Sequence, residues 1–154
     1  MSNVYKLAKA CHKGDLEKVK KLVEQGVNIH ADNEFALRIA SECGYLELVK
    51  YLVEQGADVH HDQEKALYWA TRNGRVKVVK YLVEQGANID GTINIFRTAC
   101  FYNKVEVVKY LVEHGVVDTH ADIGHLLKTA TEFKRWDAVS YLKNRMVLEK
   151  LQEI

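Results

Sequence analysis

The chain has 154 residues, 47% of them hydrophobic, and a formal net charge of +1. That size and balance fit one soluble unit and supply no general field to hold nucleic acid or an anionic membrane. No apolar run approaches the roughly 20 residues of a membrane-crossing helix, and the opening Met1-Ser2-Asn3-Val4-Tyr5-Lys6 lacks a signal-peptide core.

The first predicted element is a short apolar segment, Leu7-Ala8-Lys9-Ala10, whose first and last residues share a helical face. A longer segment runs from Gly14 to Gly26. The pair recurs as Leu37 to Ala40 with Gly44 to Gly56, and as Leu67 to Ala70 with Gly74 to Gly86. It returns as Phe96 to Ala99 with Asn103 to Gly115, and in decayed form as Leu127 to Ala130 with a segment starting at Lys134. The long segments start at intervals of about 30 residues, the mark of a stacked-repeat architecture.

The copy from Gly44 explains why stacking is needed. Leu46, Val49 and Val53 fall on one helical face, with Leu48 and Leu52 beside them. That arc is wider than a surface helix carries. Glu47, Lys50 and Glu54 hold the remaining face at spacings that add about 0.2–0.5 kcal/mol per pair. Gly56 stands where a left-handed helix stop is expected. One copy cannot bury its apolar arc alone, whereas stacked copies can. The alanine closing each short segment lets two helices approach closely.

Loops join the copies from Gly26 to Glu34, Gly56 to Glu64 and Gly86 to Thr92, with Asn and Asp placed to bond their own backbone. The loop from Gly115 to Asp122 deviates most. Tyr51, Tyr81, Tyr110 and Tyr141 correspond to Lys21 in the first copy, beside Lys18 and Lys20, which reads as a polar end cap. The last copy lacks both glycines and runs on through Met146, Leu148 and Leu151 as a C-terminal cap. No linker separates the copies, so one domain is expected over 1–154, with repeats at 3–31, 32–61, 62–91, 92–121 and 122–154. Proline is absent, as suits a mostly helical chain.

Candidate chemistry is sparse. His60-His61-Asp62, with His30 one repeat away, resembles a metal-ligand cluster. Adjacent loop residues rarely converge on one ion, and no helix-spaced His pair supports them, so no metal is expected. Cys11-His12 is adjacent in sequence, which does not aim the base at the thiol. Cys11, Cys43 and Cys100 form no Cys-x-x-Cys pair and read as reduced, structural thiols of an intracellular protein. The glycines lie one repeat apart as helix stops, not in a phosphate loop, so no cofactor is expected. Lys13, Lys18, Lys20 and Lys21 make a basic end that Glu17 and Glu24 dilute, a solvated cap rather than a nucleic-acid surface.

The recurring Ala-x-x-x-Gly-x-Leu-Glu-x-Val-Lys-Tyr-Leu-Val-Glu-x-Gly-Ala-Asp-Val resembles the ankyrin repeat over essentially the whole chain. Two features depart from that family. Phe35-Ala36-Leu37-Arg38 and Lys65-Ala66-Leu67-Tyr68 stand where it has Thr-Pro-Leu-His, and the interval from Gly26 to Ala40 is about three residues short. The resemblance therefore implies an all-α, ankyrin-type helical solenoid of five helix-turn-helix repeats, with short loops in place of full β-hairpins. The short, proline-free form is similar to ankyrin proteins of giant DNA viruses.

The resemblance also implies a non-enzymatic, monomeric protein-binding module with a concave face built from the inner helices and the turns after them. The matching positions are His12 with Lys13, Glu42 with Cys43, Arg72 with Asn73, Phe101 with Tyr102, and Glu132 with Phe133. Phe101, Tyr102 and Phe133, with Trp69 and Tyr68 nearby, make the contact candidates, because clustered exposed aromatics are hot-spot chemistry. Arg72, Asn73 and Glu42 complete the expected surface. The alternative is that Trp69 and Phe133 are partly core and that Trp136 packs the C-terminal cap. A structural, self-associating role is the alternative function.

Overall fold

Each wide apolar arc needs cover from more than one side, and the architecture supplies it. The computed structural model describes residues 2–89, 95–114 and 120–152. Among these, ten helices form five antiparallel pairs: α1 (Asn3–Lys13) with α2 (Leu16–Glu24), α3 (Ala31–Cys43) with α4 (Leu46–Glu54), α5 (His61–Arg72) with α6 (Val76–Glu84), α7 (Ile95–Phe101) with α8 (Val105–Glu113), and α9 (His120–Glu132) with α10 (Trp136–Gln152). The odd-numbered helices pack in sequence as an inner row, and α4, α6, α8 and α10 as an outer row. This is the expected all-α solenoid, and no strand occurs among the described residues.

The core follows the sequence pattern. Leu7, Leu37 and Leu67 of the inner helices are buried, as are Leu48, Val49, Leu52, Val78, Val79 and Leu82 of the outer ones. Ala10, Ala40, Ala70, Ala99 and Ala130 are all buried at the helix–helix contact. A larger side chain there would force neighbouring helices apart. Val27, Ile29, Ala57 and Val59 carry the core into the loops.

The short interval between repeats is closed without a hairpin. Asn28 and Asp58 accept the backbone N–H of His30 and His60 at 3.0 and 2.9 Å. The chain then makes a left-handed turn through Asp32, Asn33 and Glu34, at φ 52°, 59° and 55°, before the right-handed part of α3 begins. Asp62 and Glu64 repeat it at 49° and 64°. Each non-glycine residue in that region costs about 1–2 kcal/mol. His30 Nδ1 bonds the Glu34 carboxylate, and His60 Nδ1 bonds Glu64 at 2.8 Å, which ties the turns shut. The loop that departs most in sequence lies mainly outside the described residues.

Candidate functional site

The site is set by where each inner helix stops. Gly14, Gly44 and Gly74 take φ of 70°, 88° and 68° between paired helices. The side chains just after the later stops reach back over the preceding repeat. Tyr45 Oη donates to the His12 carbonyl at 3.4 Å, and Arg75 Nε to the Glu42 carbonyl at 3.0 Å. Arg135 Nε donates to the Cys100 carbonyl at 3.2 Å, and its Nη2 to that of Phe101. These bonds satisfy carbonyls at helix ends that have no partner within their own helix. They also fix the spacing of the turns that carry the candidate residues.

That framework brings five of the expected residues into one continuous cluster. The Arg72 guanidinium lies 4.7 Å from the Trp69 ring centre and 5.0 Å from that of Tyr102. Tyr102 meets Phe101 edge to face at 5.0 Å, and Phe101 meets Phe133 in the same way at 5.0 Å. Phe101 is 46% exposed at the centre of this chain of rings. Trp69, Tyr102 and Phe133 are half-buried, and Phe133 packs against the core while it belongs to this surface.

Two expected residues are placed differently. Asn73 turns inward on its own helix, its Nδ2 donating to the Trp69 carbonyl at 2.9 Å as part of the helix stop. Glu42 contributes its carbonyl to Arg75, and among the described residues no ion pair joins its carboxylate to the cluster. Trp136 corrects the expectation that it packs the C-terminal cap. It is 62% exposed at the first position of α10.

Arg97 and Thr98 are the residues that sequence reasoning passed over. With Tyr68, Phe101, Tyr102 and Phe133 they line a cleft of about 360 Å³. Arg97 lies 5.6 Å from the Phe133 ring centre. Their signal was present in the short apolar segments, where Arg38, Tyr68, Arg97 and Lys128 share one position of the repeat.

Among the described residues no Cys, His, Asp or Glu lines the cleft. Burial pushes the Cys11 and Cys100 thiols up to about 12. Cys43 lies 3.9 Å from His12 Nδ1, yet partial burial and the nearby Glu42 raise its pKa too, which opposes thiolate formation. His60, from the candidate metal cluster, is engaged by Glu64. Among the described residues no group of three or more His, Cys, Asp or Glu is placed to hold a metal ion, and no helix is long and apolar enough to cross a membrane.

Comparison with known proteins agrees with this geometry. A family model described as ankyrin repeats (three copies) matches residues 7–93. The crystal structure of the human ASB11 ankyrin repeat domain superposes with a TM-score of 0.75 at 25% sequence identity, covering 90% of this chain and 67% of that one. No curated protein sequence matches.

Proposed function

The chain belongs to the ankyrin repeat family, and from that premise we propose that it is a non-enzymatic module binding a partner protein through its concave inner-helix face. The observation that carries this reading is Phe101, exposed at the centre of an unbroken run of aromatic and guanidinium contacts from Trp69 to Phe133. Large exposed rings at the middle of a surface are where binding energy concentrates. The rings brace one another, so little side-chain entropy is lost on contact. Trp69, Arg72, Phe101, Tyr102 and Phe133 are the proposed contact residues, with Asn73 shaping the turn and Glu42 at the edge.

The five helix pairs act as one domain whose first and last repeats are caps. The free thiols of Cys11, Cys43 and Cys100 support an intracellular location. The absence of proline and the shortened loops support a likeness to the compact viral forms.

The test is affinity capture from a cell lysate, wild type against a Phe101→Ala/Tyr102→Ala variant whose helical content is first checked by circular dichroism. Partners held by the wild type and lost by the variant support the reading. Partners held equally by both overturn it. A second reading, self-association, draws on Trp136 and Val147, exposed by 62% and 58% and eleven positions apart on one face of α10. Sedimentation that shifts with concentration, and loses the shift in Trp136→Ser, favours that reading.

A further inference from the structure

Resting on the reading that this face binds a protein, we propose that the partner presents an acidic peptide segment in which one large apolar side chain is flanked by carboxylates. The first reason is how charge is partitioned. Three lysines of the outer helices are closed in local pairs one turn apart, Lys20 with Glu17 at 3.1 Å, Lys50 with Glu47 at 3.0 Å, and Lys109 with Glu106 at 2.7 Å, while Lys80 lies over the Tyr110 ring. The inner-face arginines Arg38, Arg72 and Arg97 all make ring contacts, with Phe35, with Trp69 and Tyr102, and with Phe133 in turn. Among the described residues none of the three forms an ion pair with a carboxylate.

The second reason is shape. The cleft of about 360 Å³ between Tyr68, Phe101, Tyr102 and Phe133 suits a single large side chain with the backbone beside it. Arg97 forms part of its wall, and Arg72 stands on Tyr102 at its margin. A guanidinium stacked on a ring keeps its N–H edge free and already oriented, in the fork that matches a carboxylate. An apolar anchor in the cleft would therefore place carboxylates on either side within reach of Arg72 and Arg97.

The same aromatic and guanidinium chemistry can stack single-stranded bases. A strand's phosphates need a continuous basic track, however, and Glu42 and Glu132 interrupt this face. The short-range arrangement thus favours a peptide over a nucleic acid.

The test is a titration of ¹⁵N-labelled protein followed by NMR to millimolar ligand. The probes are a terminally blocked Asp-Glu-Phe-Asp-Glu peptide, its Ser-Ser-Phe-Ser-Ser and Lys-Lys-Phe-Lys-Lys counterparts, and hexauridylate. The acidic peptide is expected to shift the signals of Arg97, Phe101 and Tyr102. Its affinity should exceed that of the serine peptide, and fall in an Arg72→Gln/Arg97→Gln variant, by roughly tenfold or more, the worth of one charge-assisted bond. No shift, equal affinity for the three peptides, tighter hexauridylate binding or indifference to the arginine change overturns the proposal. Lysate capture with the same arginine variant separates the two readings. Partners lost in Phe101→Ala/Tyr102→Ala but kept in the arginine variant leave the binding face standing and remove its acidic preference. Partners kept in both remove the face as well.

Discussion

The turn inside each helix pair shows what a single position demands. Gly14, Gly44 and Gly74 take left-handed backbone there, and Asn103 and Lys134 take it without being glycine, both at φ 54°. A Cβ on Gly44 would meet Arg75 Cδ at 2.6 Å. Lys134 is exposed and carries the backbone strain alone, so Lys134→Gly should stabilise the fold by about 1 kcal/mol, read by urea denaturation. The thiols make a second test. Cys11 and Cys100 are fully buried and Cys43 only half so. A disulfide reagent should label Cys43 alone in the native protein, faster as pH rises, and all three once urea unfolds it. At His60 the bond to Glu64 raises the imidazole pKa above its ordinary 6.5. The stabilisation is therefore complete below pH 6.5 and is lost as pH rises through the folded-state value. In His60→Gln that part of the stability–pH curve should flatten. At this scale the glycine stops and Phe101 were legible, because each is announced by its residue type. The reach of Arg75, Arg97 and Arg135 was not, since a long side chain can point several ways from one register position.

Helices here are held by their neighbours rather than by their own propensity. An isolated nine-residue helix such as α6 falls below the length that is stable in water, yet Val78, Val79 and Leu82 are fully buried against adjoining repeats. Leu82→Ala should cost about 2–5 kcal/mol, whereas Leu148→Ala, at an exposed position on α10, should change stability by less than about 0.5 kcal/mol. Paired denaturation curves would show it. The helix pairs were readable from the 3.6-residue period, and the hairpin-free loops at 26–34 and 56–64 from the shortened interval. The left-handed turn through Asp32, Asn33 and Glu34 was not, because propensity argues against three such residues in a row. Its signal was the His-x-x-x-Glu spacing of His30 with Glu34 and His60 with Glu64, visible only once the two loops are compared.

In the whole molecule, repetition fixes the architecture and leaves the surface to individual residues. The scaffold positions recur every repeat, so five copies vote on one fold and the ankyrin resemblance followed from the sequence alone. The cleft lies across the third to fifth pairs, where Tyr68 and Arg97 take the position of Arg38 and Lys128, Phe101 that of Glu42, and Phe133 that of Cys43. Departures of this kind carry no period, which is why the scaffold was plainer in the sequence than the site. Because each repeat contacts mainly its neighbours, removing exposed rings from the inner row should leave the stack intact. The measurement that bears most directly on the account is calorimetry of a captured partner with wild-type protein and with the folded Phe101→Ala/Tyr102→Ala variant. Affinity weakened by roughly a hundredfold, the scale of a hot-spot truncation, is the expected result. Unchanged affinity would contradict the account and move the binding surface off the inner-helix face.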